Sequence, residues 1–294
     1  MRRAVAITLG ALLGAAWAAS AQPGFDTVQI RTTPIADGVY MLQGAGGNMG
    51  LSVGDDGAFL IDDQFAPLTD KIKAAIGEVT DAPVRFVLNT HWHGDHVGGN
   101  EHLGQAGAMI VAHQNVRKRL NPEEFGEVMG RTQQAPPAAL PIVTFSDQVD
   151  LYWNGQKIHV FHVPHAHTDG DAIVYFTAAN VFHMGDTFFN GRYPFIDTNS
   201  GGGINGVIHA ANAVLAVANS ASRLIPGHGA LGTVDDLRAY RDMLVTVRDR
   251  IRLMINDGKS EDEVVAAHPT ADLDDTWGAQ PERFVRGVYQ SLSR

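Results

Sequence analysis

The sequence predicts an α/β protein, and three observations carry that expectation. Short apolar runs alternate with amphipathic stretches of helical spacing along most of the chain. Clusters of Gly, Pro, Asn and Asp punctuate the boundaries between them. Five of the apolar runs end in loops that hold histidine or aspartate, which is how a sheet brings reactive loops to one end.

The elements follow in order. Residues 28–32 and 39–42 read as strands split by the turn Ala36-Asp37-Gly38. Residues 48–53 and 58–61 read as a hairpin across Gly54-Asp55-Asp56-Gly57, a strong turn signal. From 67 to 78 the apolar residues Leu68, Ile72, Ala75, Ile76 and Val79 take helical spacing, with Pro67 at the start. A buried strand at 84–89 leads into a histidine-rich loop. Residues 100–105 then read as a short helix, 109–112 as a strand and 114–120 as a helix. Residues 121–141, with Pro136, Pro137 and Pro141, read as a long connection. A second hairpin is expected over 149–152 and 157–163, and two more strands at 173–177 and 181–183. Residues 204–219 read as an Ala-rich helix and 223–225 as a strand. Thr233 caps a long helix whose stripe runs Leu237, Tyr240, Leu244, Val247, Ile251 and Ile255, and Gly258 ends it. Ser260 with Glu263 marks a capping box, and a last helix is expected over 281–292. The two halves share a rough strand, helix and metal-loop pattern, a hint of internal duplication.

The N-terminus is set apart. Arg2 and Arg3 precede an apolar run over 4–17, and Ala19-Ser20-Ala21 is a small-residue cleavage site. Residues 1–21 read as a signal peptide, with an uncleaved anchor helix as the alternative, and residues 22–294 as one domain. The expected location is periplasmic or secreted, without stable membrane insertion after cleavage. Loss of Arg2 and Arg3 takes the formal charge from −10 to −12. So acidic a chain is a poor partner for nucleic acid, and the expected partner is a small-molecule substrate. The absence of cysteine excludes disulfides, thiolate zinc ligands, iron–sulfur clusters and a cysteine nucleophile.

The chemistry is concentrated in Thr90-His91-Trp92-His93-Gly94-Asp95-His96. In an extended loop, residues two apart point the same way, so His91 and His93 can grip one ion. Asp95 and His96 follow the Gly94 bend and can aim at a second point. Neutral imidazole and carboxylate suit zinc and similar divalent ions. Four more strand-end loops offer further groups. They are the 164–171 loop with His165, His167, Asp169 and Asp171, the 183–187 loop with Asp186, Pro226-Gly227-His228-Gly229, and Asp62.

In the order and spacing of these five motifs, from about Val39 to Gly229, the chain resembles the metallo-β-lactamase fold hydrolases. The resemblance implies a four-layer αββα sandwich with a binuclear zinc site at the sheet edges. It implies one zinc on His91, His93 and His167, the other on Asp95, His96 and His228, and Asp186 as a bridge. Asp95 and Asp186 are the catalytic candidates, and Asp62 would support ligands from behind. Two Zn2+ per chain are expected, with iron or manganese as alternatives. A bridging water would then ionise near neutral pH and serve as the nucleophile. The hydroxyls of Thr168 and Thr187 are expected to have no free base beside them.

The remaining side chains leave choices open. His165 competes with His167 as the third ligand. His183 reads as support or packing, and His102, His113, His159, His162, His209 and His268 as ordinary polar residues. Trp92 is either a wall of the site or a packing residue. Asn190 and Arg192 either bind a substrate carboxylate or belong to a solvated loop. Specificity is expected from residues 44–48, 121–141 and 190–203. True metallo-β-lactamases usually carry cysteine or serine where this chain has Asp186, so the bridging aspartate looks like the wider family of thioesterases and lactonases. The expected reaction is hydrolysis of a cyclic amide, lactone or ester, β-lactamase-like. The alternatives are a thioester hydrolase of the glyoxalase II type and a non-hydrolytic metal-binding or diiron redox protein.

Overall fold

In the computed structural model, residues 24–121, 134–278 and 280–294 are described. The signal segment read at 1–21 and residues 122–133 of the 121–141 connection lie outside them. Among the described residues, no helix is long and apolar enough to cross a membrane.

The first part of the chain makes a seven-stranded sheet. Its strands are β1 (Arg31–Ala36), β2 (Val39–Gln43), β3 (Met49–Ser52), β4 (Ala58–Ile61), β5 (Val84–Asn89), β6 (Met109–His113) and β7 (Val143–Phe145), in spatial order β1 to β7. Tight turns make β1 to β4 antiparallel. The crossover through α1 (Thr69–Gly77) makes β5 parallel to β4, and β6 and β7 continue parallel. The short helices α2 (Gly94–Val97), α3 (Asn100–Gln105) and α4 (Gln114–Leu120) lie between β5 and β7. The second sheet holds β8 (Gln148–Trp153), β9 (Gln156–His162), β10 (Ala172–Phe176), β11 (Val181–His183) and β12 (Arg223–Ile225). It is antiparallel except for β11 beside β12, which the helix α5 (Ile204–Leu215) connects. The chain closes with α6 (Val234–Asn256), α7 (Glu261–Ala266), α8 (Asp274–Trp277) and α9 (Pro281–Leu292).

Period-two alternation builds the layers. Phe59, Ile61, Leu88 and Val111 face Ile158, Val160, Val174 and Ile225 of the other sheet. The intervening Ala58, Leu60, Val87 and Ile110 point the other way, onto Ile72 and Ile76 of α1 and Leu103 of α3. On the far side Ile173, Phe182 and Leu224 pack against Val207, Ala211, Leu237, Leu244 and Phe284. Each fully buried Leu, Ile or Phe contributes about 1.5–3 kcal/mol, so both faces of both sheets are anchored. This is the αββα sandwich that the resemblance implied.

The differences from the sequence reading have local causes. The first strand runs Arg31–Ala36 rather than 28–32 and continues through Pro34. It is an edge strand, where a missing N–H is tolerated. β7 is only three residues long, too short to show alternation, and α8 is a single turn. The Ala-rich helix ends at Leu215 rather than 219. The two capping motifs form as read: Thr233 and Ser260 each accept from the backbone N–H three residues on, and Asp236 and Glu263 reach back.

Candidate metal centre

The parallel pairs bring their C-terminal ends to one edge. β4 ends just before Asp62, β5 at the histidine loop, β11 just before Asp186 and β12 just before His228. The loop between β9 and β10 adds His167. Backbone bonds lock the loops together. Asn48 N–H donates to the Gly227 carbonyl at 2.7 Å, and Gly227 N–H to the Gly185 carbonyl at 2.7 Å. Gly227 is required by shape, because a Cβ there would overlap an Asp186 carboxylate oxygen and the Gly185 backbone.

All seven candidate ligands come together, in two groups. His91, His93, His167 and Asp186 have ligand atoms within 4.8 Å of one another, and so do Asp95, His96 and His228. Asp186 faces both groups. Its Oδ2 lies 3.4 Å from His167 Nε2 and 3.8 Å from His91 Nε2, and its Oδ1 lies 3.1 Å from His96 Nε2 and 3.4 Å from His228 Nε2. His93 points Nδ1 inward, 3.2 Å from His91 Nε2 and 2.8 Å from His167 Nε2. Asp95 Oδ2 is 3.5 Å from His228 Nε2 and 3.8 Å from His96 Nε2. His165 stays outside this cluster, exposed, with Nδ1 against the Gly201 carbonyl.

The second nitrogen of each ring fixes its orientation. His96 Nδ1 is 2.7 Å from Asp62 Oδ2. Thr90 donates to the same carboxylate through N–H and Oγ1, both at 2.7 Å, and Thr90 Oγ1 lies 3.1 Å from His91 Nδ1. Asp62 therefore holds one ligand directly and another through Thr90. His93 Nε2 meets Asp197 Oδ2 at 2.9 Å, and His167 Nδ1 meets the Phe195 carbonyl at 2.7 Å. Asp197 carries no motif and was not singled out by the sequence. His183 is buried and bonds the Asn48 carbonyl at 3.0 Å, a packing role.

The electrostatics suit cation binding. Burial, with the imidazoles of His96, His167 and His93 beside it, holds His91 well below the usual imidazole value despite Asp186. Burial brings His167 down to about 4. Both rings therefore stay neutral and keep a lone pair for a metal at neutral pH. Burial would push the Asp186 carboxyl up, but His96, His228, His167 and His91 together hold it well below the carboxylate range. Burial also opposes a charge on His96, yet Asp186 and Asp62 keep its pKa well above the usual value. His96 Nε2 and Asp186 Oδ1 are buried without a hydrogen-bond partner. Both belong where the two groups meet, and a cation there would satisfy the carboxylate oxygen directly and the ring nitrogen by displacing the proton that Asp186 and Asp62 favour.

Two expectations need correction. Thr168 does have a carboxylate beside it: its Oγ1 and N–H both donate to Asp171 at 2.7 Å. Burial raises Asp171 to about 7 despite those bonds, so the carboxyl closes the 168–171 turn inside the protein. The Thr187 hydroxyl is engaged by the Met184 carbonyl at 2.7 Å. The second correction concerns the cleft over the site, about 770 Å³. Its walls include Phe189, Arg192 and Phe195 on one stretch and Gln280, Arg283 and Phe284 on another. Of the three segments expected to set specificity, the 190–203 stretch lines the cleft, 44–48 does not, and most of 121–141 lies outside the described residues; the start of α9 was not foreseen. Arg192 lines the cleft, Asn190 bonds the Ala230 carbonyl, and Trp92 packs with Val116, Leu120 and the Arg119 guanidinium.

The model of the metallo-β-lactamase superfamily matches residues 43–228. Two curated relatives carry the name hydroxyacylglutathione hydrolase. That of Gloeobacter violaceus is 28% identical over 47% of this chain and 50% of its own length. That of Pelagibacter ubique is 29% identical over 36% of this chain and 37% of its own. The chain thus spans half or less of the length of these relatives. Among solved structures, the DIM-1 metallo-β-lactamase superposes with a TM-score of 0.61 at 18% identity, covering 74% of this chain and 99% of that one. The sec-alkylsulfatase Pisa1 from a Pseudomonas species gives 0.70 at 17% identity, covering 89% of this chain and 50% of that one. At such identities the structural likeness speaks for the fold.

Proposed function

Because the chain belongs to the metallo-β-lactamase superfamily, it is a metal-dependent hydrolase, and we propose that it is an exported binuclear zinc enzyme acting on a small cyclic amide, lactone or ester. The observation that carries the binuclear reading is Asp186, whose two oxygens face two separate ligand groups. His91, His93 and His167 would hold one ion, Asp95, His96 and His228 the other, with Asp186 between them. Imidazole and carboxylate donors suit zinc, with iron or manganese as the alternatives. Such a pair of ions supplies Lewis acidity and acidifies water to a pKa of about 7.

The chain's own groups do the rest. His93 and His167 are held in one tautomer by Asp197 and the Phe195 carbonyl, so their inward nitrogens are free to bind. Asp95, about a quarter open to the cleft, offers a carboxylate oxygen that can hold a proton while a leaving group departs. Neither Thr168 nor Thr187 reaches the cleft: both are buried and neither lines it, so the carboxylate beside Thr168 has no substrate within its reach. The protein supplies no covalent nucleophile from these loops.

A thioester substrate is the second reading, favoured by the names of the two curated relatives. The test is a panel of a chromogenic β-lactam, an aliphatic lactone, an S-acyl glutathione and an alkyl sulfate, run on protein stripped by chelator and reloaded with zinc. About two ions per chain by elemental analysis and metal-dependent turnover of one class are expected. One ion at saturation would refute the binuclear reading, and activity that survives demonstrated metal loss would refute the mechanism. Export is tested by N-terminal sequencing, with Gln22 expected first; an intact Met1 on cytoplasmic protein refutes it.

A further inference from the structure

Two arginines stand in the cleft without an acid. Arg192 and Arg283 both line it, and among the described residues neither forms an ion pair. The contrast with Arg286, one turn further along α9, is informative. Arg286 pairs with Glu261, Asp262 and Glu282 at 2.9–3.1 Å. Glu282 adjoins Arg283 in sequence but bonds Arg286. The other acids around the cleft are also committed. Asp95 and Asp186 sit in the ligand groups, and Asp197 binds His93 and Ser200.

Arg283 is also held in place. Its guanidinium carbon lies 3.8 Å from the centroid of the Phe195 ring. The same ring also neighbours His93, with centroids 6.2 Å apart and 27° between the planes. One phenyl ring therefore adjoins both a fixed guanidinium fork and a metal-ligand candidate. A guanidinium stacked this way keeps its donors free and matches a carboxylate with two parallel hydrogen bonds. The chain as a whole is strongly acidic, at −10, so its general field repels anions. A locally unpaired pair of guanidiniums is what an anionic ligand would need there.

We propose that Arg283, with Arg192 in the same cleft, seats a carboxylate on the acyl part of the substrate, beside the Phe195 ring that adjoins the metal groups. The aromatic walls, Phe189, Phe195 and Phe284, would cover a short apolar body between the carboxylate and the scissile bond. This rests on the hydrolase reading above and narrows it to acyl compounds that carry a carboxylate away from the bond that breaks.

The test compares two esters with the same leaving group and the same chain length, mono(4-nitrophenyl) adipate and 4-nitrophenyl hexanoate, on zinc-loaded protein. Wild type should prefer the adipate ester in kcat/KM. In Arg283→Gln the ratio of the two kcat/KM values should fall by about tenfold or more, the size of one lost charged hydrogen-bond pair. Arg283→Lys should fall between, keeping the charge but not the fork. Arg252→Gln, which removes an equal charge from an exposed helix position outside the cleft, should leave the ratio where it was. An unchanged ratio in Arg283→Gln, or an equal change in Arg252→Gln, overturns the proposal. If fully metal-loaded wild type releases nitrophenolate from neither ester, the ester reading fails on its own account. The seat is then read by calorimetry with adipate: binding weaker by about tenfold in Arg283→Gln supports it, and equal binding overturns it.

Discussion

Asp62 is the place where a single buried carboxylate holds both metal groups in shape. It is fully buried and accepts three hydrogen bonds at 2.7 Å, from His96 Nδ1, Thr90 N–H and Thr90 Oγ1. A hydrogen bond to a charged group is worth about 1.5–3 kcal/mol, and each buried donor left without a partner costs about 1–3 kcal/mol. Asp62→Ala strands His96 Nδ1 and the Thr90 N–H together, so a loss of about 3–5 kcal/mol is expected, as for other buried charges whose partner is removed. The backbone adds strain, because φ at Asp62 is +59°. Asp62→Asn is the informative variant. Asparagine tolerates that φ, keeps the shape and retains one acceptor, so the protein should fold. It cannot accept from both sides. His96 loses the partner that fixes its ring, and the ion at Asp95, His96 and His228 should bind about 10–100-fold more weakly. The other ion, reached only through Thr90 and His91, should weaken less. Competition with a chromogenic chelator reads both constants, and urea denaturation of the metal-free protein reads the stability. Equal affinity for both ions in Asp62→Asn and wild type would refute this account of the carboxylate.

Three further outcomes are expected. Arg119 is 6% exposed and ties two ligand loops, pairing with Asp169 through two bonds at 2.7 Å and lying 5.6 Å from the Trp92 ring. Arg119→Met should weaken the ion at His91, His93 and His167 by about tenfold, with partial recovery in Arg119→Lys; equal loss at both ions would refute a local role. Gly227→Ala should push Asp186 from its place and weaken both ions together, while a variant that binds two zincs normally would show that the loop can yield. His113 is pushed down to about 4 by burial and by the stacked His162 ring 3.7 Å away. Its folded pKa lies below the free value of about 6.5, so the stability it guards is present above that pH and is lost as pH falls toward 4. The urea midpoint should therefore drop less between pH 7.5 and 5.5 in His113→Gln than in wild type, and an equal drop would exclude His113 as a source of the acid sensitivity.

What the sequence reveals about this site depends on how local the signal is. His91, His93, Asp95 and His96 fall on one loop, and chemistry crowded into six residues is visible without a structure. His167, Asp186 and His228 are visible because each follows an apolar strand. Asp197 is not, because its bond to His93 spans 104 residues and its own neighbourhood, between Ile196 and Thr198, has no pattern. Asp171 hides for the opposite reason. It sits in a loop rich in acids and histidines, and nothing in the spelling shows that its carboxyl turns inward onto Thr168. The cleft walls follow the same rule. Arg283 reads as one more charge on an amphipathic terminal helix, and only packing against Phe195 separates it from Arg286, three residues on and fully paired.

That division has a physical root. The donors that meet an ion are constrained by the short reach of the backbone, so strand-end spacing must be written into the sequence. The groups that orient those donors need only arrive within 3 Å from anywhere in the fold. In this chain they arrive from β4, from the 196–200 turn and from a backbone carbonyl at Phe195. The carbonyl carries no side-chain identity at all, so His167 would keep its partner through substitution at position 195, provided the loop held its course. Asp62 and Asp197 have no such freedom. Substitution at either should therefore disturb metal binding more than substitution of Phe195 by leucine, which removes the ring beneath Arg283 but leaves the carbonyl that holds His167.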